Sequence, residues 1–188
     1  MKIAFFASGS GSNVENIIRY FGNDDFFKFP LILSNIADAY VHERAKTLNV
    51  PSITFSREDF LSGGRILSVL QQYNIDAIVL AGFLLKIPQT LIEAFPQKII
   101  NIHPALLPKF GGKGMYGDRV HQAVVEAGEK ESGVTIHYVN ENYDEGNIIF
   151  QAKCPVEVSD TAGIVAQKVH ALEYEYFPKA IERLWKGE

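Results

Sequence analysis

Cysteine is almost absent: Cys154 stands alone in 188 residues, so no internal disulfide framework holds this chain together. His42, His121, His137 and His170 show no zinc spacing among themselves or with Cys154, so no structural metal is expected. Long apolar runs are also lacking. The opening Met1-Lys2-Ile3-Ala4-Phe5-Phe6 turns polar at Ser8 before a signal-peptide core could form, and the apolar stretch 77–85 is too short for about 30 Å of hydrocarbon. Nor is there a charge excess of the basic kind. Eighteen Lys plus Arg against 22 Asp plus Glu give a net charge of −4, which supplies no footprint for duplex nucleic acid. Repeats, low-complexity tracts and long linkers are missing too. What remains, at 47% hydrophobic residues, is the composition of a soluble cytoplasmic protein with one domain over 1–188.

The apolar patterns predict strands over 3–7, 31–34, 52–55, 77–81, 98–102 and 134–139. Helical patterns separate most of them. Ser12-Asn13 can cap a helix that carries Val14, Ile17, Ile18 and Phe21 on one face; 41–48, 64–73, 91–95 and 120–127 follow, and 161–185 closes the chain. Pro178 should kink or divide that last helix. Strands as apolar as Ala77-Ile78-Val79-Leu80 need cover on both faces, so the expected fold is α/β: an open, mostly parallel twisted sheet with helices on both faces. Segments 134–139 and 148–153, which flank a polar turn, add an antiparallel edge in the C-terminal half.

Three places could carry chemistry. Ala7-Ser8-Gly9-Ser10-Gly11-Ser12-Asn13 follows the first strand and opens the first helix, where small residues and free helix N–H groups suit a phosphate. A plain tight turn is the alternative. Val14 stands where a dinucleotide fingerprint or a Walker loop needs glycine, so both motifs fail. Asn101-Ile102-His103-Pro104 sits at the carboxyl end of a strand, and period-two alternation turns Asn101 and His103 the same way. There a carboxamide can donate to an oxyanion while an imidazole moves a proton. Asp144, in Tyr143-Asp144-Glu145-Gly146, is either a carboxylate that favours imidazolium at His103 or an ordinary turn residue.

Together with Leu80-Ala81-Gly82-Phe83, Ala105-Leu106-Leu107-Pro108 and Asn147-Ile148-Ile149, these motifs resemble the phosphoribosylglycinamide formyltransferases of purine biosynthesis, within the folate-dependent formyltransferase superfamily. They occur in that family's order across nearly the whole chain. The resemblance implies a Rossmann-like formyltransferase fold. It would have a phosphate-binding half over about 1–100 and a catalytic, folate-binding half over about 101–188. It implies formyl transfer from the co-substrate 10-formyltetrahydrofolate to the amine of 5-phosphoribosylglycinamide, without metal. By motif position Asn101, His103 and Asp144 are the catalytic trio. Ser10, Gly11, Ser12, Asn13 and Glu173 would hold the phosphoribosyl substrate. Arg57, Leu84, Leu85, Lys86, Ile87, Asn101, Asn140, Glu141 and Asp144 would hold the folate. Many relatives carry Met-Arg after Ala-Gly-Phe, so Leu84-Leu85-Lys86 is expected to work through its backbone. The glycine-rich stretch 110–119 is longer than the common family version and reads as a flap or a surface loop.

Two other functions compete. The same trio could activate water, giving a 10-formyltetrahydrofolate hydrolase, but such hydrolases normally add an N-terminal regulatory domain. A non-catalytic phosphate- or nucleotide-binding module would keep the cradle alone. Methionyl-tRNA formylation would normally add a C-terminal RNA-binding domain. The expected partners are small molecules, with neither nucleic acid nor membrane, in a monomer or homodimer.

Overall fold

The computed structural model describes residues 1–187. Its strands form a seven-stranded sheet of order β3-β2-β1-β4-β5-β6-β7: β1 is Lys2–Phe6, β2 Lys28–Ser34, β3 Ser52–Thr54, β4 Ala77–Leu80, β5 Ile99–His103, β6 Glu131–Tyr138 and β7 Ile148–Pro155. The chain divides into two compact units, Met1–Asn101 and the part from Ile102 on.

In the first unit every strand pairing is parallel: β1 with β2 and β4, β2 with β3, and β4 with β5. Parallel strands need crossovers, and helices α1 (Ser12–Phe21), α2 (Val41–Thr47), α3 (Arg57–Ser62), α4 (Gly64–Gln72) and α5 (Gln89–Ala94) supply them. The continuous apolar runs are explained by burial, since all four residues of β4 and the last four of β1 are shielded from water. Phe6, Phe55, Phe60 and Phe83 add a ring cluster, with Phe6 and Phe83 edge to face at 5.4 Å.

Three local expectations change. β2 begins at Lys28, well before 31, even though Pro30 lies within it. Its pairing with β3 covers only Ile32 to Ser34, so the missing N–H of Pro30 falls outside that ladder. α1 is not capped by Ser12 or Asn13. Gly11 is its N-cap, in the left-handed region at φ 71°, with no side-chain cap bond. Helix α3 was not expected; its signal is Ser56-Arg57-Glu58-Asp59, in which the Ser56 hydroxyl accepts from the Asp59 N–H at 3.0 Å. Six residues with one buried apolar side chain, Phe60, leave too little periodicity to read.

The second unit holds the antiparallel pair β6–β7, with Thr135 opposite Gln151 and an irregular register at Ile136/His137. Helices α6 (Asp118–Glu126) and α7 (Ala162–Trp185) complete it. Thr161 caps α7, its hydroxyl accepting from the Ile164 N–H, and the helix runs undivided through Pro178. No helix among the described residues is long and apolar enough to cross a membrane.

Candidate active site

In the first unit, the order β3-β2-β1-β4 reverses direction between β1 and β4, and ligands of open α/β sheets bind outside the carboxyl ends of strands at such a point. Ser8 ties the loops there together. Its N–H bonds the Gly82 carbonyl at 3.0 Å, its hydroxyl donates to Asn35 Oδ1 at 2.6 Å, and the same hydroxyl accepts from the Leu84 N–H at 3.0 Å. One buried serine thus fixes the segments after β1, β2 and β4. Sequence reading placed Ser8 in the cradle without this role, because bonds to Asn35 and Leu84 require the folded sheet.

Gly11 is required on two grounds. Its φ disfavours a side chain, and a Cβ there would meet Val41 Cγ2 at 2.4 Å. α2 is also bound to the loop through the Val41 N–H to Gly9 carbonyl bond, 3.1 Å, and through Arg44 Nε to the Ser10 carbonyl, 2.8 Å. The Arg44 guanidinium pairs with Glu15, which also meets Arg19 at 2.8 Å. Ser10 is exposed and Ser12 and Asn13 half-buried at the positive end of α1, a geometry that receives an anion through backbone N–H groups and the helix dipole. Arg57 is exposed at the first turn of α3; Leu84 and Lys86 are exposed, Leu85 half-buried and Ile87 buried after β4. His42 has a structural use, bonding Ser52 Oγ at 2.9 Å. Asn101, half-buried, lies two residues before His103 on β5.

In the second unit, His103 and Asp144 come together. His103 Nδ1 is 3.6 Å from Asp144 Oδ2, with side chains 4% and 13% exposed. His137, which the sequence marks only by its lack of zinc spacing, stands on the carboxylate's other side, its Nε2 3.6 Å from Oδ1. Sequence separation hides this pairing; the same-face spacing of Thr135 and His137 on the buried strand β6 is the available clue. The loop conformation is demanding. Asp144 has φ 55°, its Oδ2 accepts the Gly112 N–H at 2.9 Å, and a Cβ on Gly146 would overlap the Tyr138 carbonyl.

The segment after His103 is clamped from below. Thr135 Oγ1 donates to the Ala105 carbonyl at 2.7 Å and accepts from the Leu107 N–H at 3.0 Å, while Gln151 Nε2 bonds the Leu107 carbonyl at 3.1 Å. His103 Nε2 lies 2.7 Å from the Phe110 carbonyl, which as an acceptor assigns the proton to that nitrogen. Burial lowers the pKa of His103, and the pull of Asp144 the other way does not offset it. The expected imidazolium is therefore not the resting form: the ring is biased neutral. Burial raises the Asp144 pKa, but His137, His103 and the Gly112 N–H together outweigh it and keep the carboxyl below its ordinary value. A bare Nδ1 thus faces a carboxylate across a gap too long for a hydrogen bond, so a proton placed there would be held by Asp144.

Glu173 is buried on α7, where His170 Nδ1 meets its Oε2 at 2.9 Å. Asn140 and Glu141 lie in the turn between β6 and β7, where Asn140 Oδ1 accepts the Asn142 N–H at 2.9 Å. Among the described residues no group of three or more His, Cys, Asp or Glu is placed to hold a metal ion.

A mostly parallel α/β sheet that carries a glycine-rich loop at a helix N-terminus and a buried imidazole–carboxylate pair is suited to receiving an anion and moving a proton. Comparison with known proteins narrows this class. The family model described as formyl transferase matches residues 1–181. The chloroplastic phosphoribosylglycinamide formyltransferase of Arabidopsis thaliana is 40% identical over 96% of this chain and 64% of its own length. That of Haemophilus influenzae is 37% identical over 99% of this chain and 88% of its own. The crystal structure of phosphoribosylglycinamide formyltransferase from Bacillus halodurans superposes with a TM-score of 0.89 at 33% identity, covering 100% of this chain and 97% of that one. The chain belongs to the formyl transferase family, alongside its phosphoribosylglycinamide formyltransferases. It spans 64% and 60% of the length of the first two plant relatives it matches.

Proposed function

We propose that this chain transfers a formyl group from 10-formyltetrahydrofolate to the amine of 5-phosphoribosylglycinamide, giving the N-formyl product and tetrahydrofolate. The observation that carries the reading is the buried His103–Asp144 pair at 3.6 Å, in a chain that matches formyl transferases along most of its length. Ser10, Gly11, Ser12 and Asn13 are assigned to the substrate phosphate and Glu173 to its ribose. Arg57, the backbone of Leu84, Leu85, Lys86 and Ile87, and Asn140, Glu141 and Asp144 are assigned to the folate, with Asn101 touching its formyl group. The place of action is the cytoplasm, whose reducing conditions suit the free, buried Cys154.

In the reaction the neutral amine attacks the formyl carbon, a C–N bond forms, and the carbonyl pair moves onto oxygen. The Asn101 carboxamide and the His103 Nε2–H donate to that oxyanion; for His103 this replaces the bond to the Phe110 carbonyl. As negative charge develops, a proton at Nδ1 becomes favourable because Asp144 stands against it. The ammonium loses its proton, the folate nitrogen gains one with Asp144 as the nearby base, and collapse of the oxyanion breaks the bond to folate. No covalent intermediate with the protein is required.

The test follows tetrahydrofolate formation with and without the amine substrate, using His103→Ala as control. Product only when the amine is present, lost in the variant, is expected. Equal product without the amine would establish a hydrolase, and none in either case would establish a binding module.

A further inference from the structure

One buried titratable side chain has no part in this scheme. His121 lies on α6 and is 2% exposed, and its Nδ1 is buried without a hydrogen-bond partner among the described residues. Such an atom costs its full desolvation unless something meets it, and native proteins carry few of them. The His170 ring on α7 stands edge-on with centroids 6.3 Å apart, and His170 in turn binds Glu173. Burial, first, and the positive fields of His170 and His103 depress the His121 pKa, against the opposing pull of Glu173 and Asp118, so the ring is neutral near pH 7. The His170 ring beside it, bound to Glu173 at 2.9 Å, links it to the residue assigned to the ribose. A neutral imidazole offers one donor and one acceptor, which is the complement of an alcohol and a poor match for phosphate or carboxylate.

We propose that His121 is a further binding residue, its unpartnered nitrogen hydrogen-bonding a ribosyl hydroxyl of the substrate that Glu173 holds. The proposal rests on the assignment of Glu173 to the ribose, and the experiment separates the two. His121→Leu removes both ring nitrogens while keeping apolar bulk; because it deletes a buried unpaired atom, it is expected to fold as well as the parent chain. His121→Asn restores a short donor and acceptor. Calorimetric titration with 5-phosphoribosylglycinamide should show binding about three- to tenfold weaker in His121→Leu, with at least half the loss recovered in His121→Asn. The folate KM and kcat should stay within about twofold. A substrate analogue lacking the contacted 2′- or 3′-hydroxyl should bind parent and His121→Leu equally, since the deleted partners form one pair.

Unchanged affinity in His121→Leu, equal weakening toward ribosyl substrate and folate, no recovery in His121→Asn, or the full penalty with both deoxy analogues would each overturn the role of His121. If Glu173→Gln binds the ribosyl substrate and its deoxy analogues as the parent does, the ribose assignment itself falls, and this proposal with it.

Discussion

Replacing Asp144 by Asn tests the centre of the mechanism, because it removes one charge and preserves shape. At 3.6 Å from His103 Nδ1, a carboxylate and an imidazolium attract by about 4.6 kcal/mol at an effective dielectric near 20. Each 1.4 kcal/mol or so is a factor of ten in rate, so the ceiling is a little over three decades. The carboxamide keeps a dipole and the Gly112 N–H contact, which leaves an expected fall in kcat of about 10² to 10³. The amine substrate should bind nearly as before, since Asp144 is not assigned to the ribosyl moiety. Steady-state formation of tetrahydrofolate gives the rate. NMR titration of the His103 ring supplies an independent readout: Asp144 raises that pKa against burial, so its removal should move the titration further toward acid. A kcat within about threefold of the parent, together with an unmoved His103 titration, would refute the reasoning.

Two further outcomes follow from the same unit. Thr135→Val keeps volume but strands the Ala105 carbonyl, the Leu107 N–H and one bond of Gln151, so urea denaturation should show a loss of about 1–3 kcal/mol; a loss under about 0.5 kcal/mol would contradict the clamp. His170 has its pKa raised, first by the hydrogen bond to Glu173, so its stabilisation is fully present below the unfolded value of about 6.5 and disappears as pH rises through the folded one. The Tm difference between the parent and His170→Ala should therefore be largest near pH 5.5 and shrink by pH 8.5, and a difference independent of pH would contradict the pairing.

Much of the first unit was legible because its signals are local. A buried parallel strand declares itself by an unbroken apolar run, and the glycine of a left-handed helix start is nearly irreplaceable. The places that misled are those where a partner elsewhere in the sheet decides. The strand expected over 31–34 in fact begins at Lys28 and takes in Pro30, because β3 is too short to demand the proline's N–H. Ser12 and Asn13 looked like caps, but Val41 presses so close to Gly11 that the turn adopts a glycine conformation and leaves the helix end to backbone groups.

The histidines show the same limit at the site. Five were visible, and only His103 stood beside residues that give an imidazole work. His137 gains significance because the turn after β6 brings Asp144 Oδ1 to 3.6 Å from its Nε2, a closeness that the local sequence does not announce. The protonation state was less legible still. From the sequence a neighbouring carboxylate argues for a charged ring, yet burial acts on the same ring in the opposite direction and prevails. A neutral His103 held by the Phe110 carbonyl, facing an ionised Asp144 across 3.6 Å, stores no charge before substrate arrives. In the proposed reaction its positive charge becomes favourable only as an oxyanion develops, so the pair would stabilise the transition state more than the resting chain, which is the condition for raising kcat.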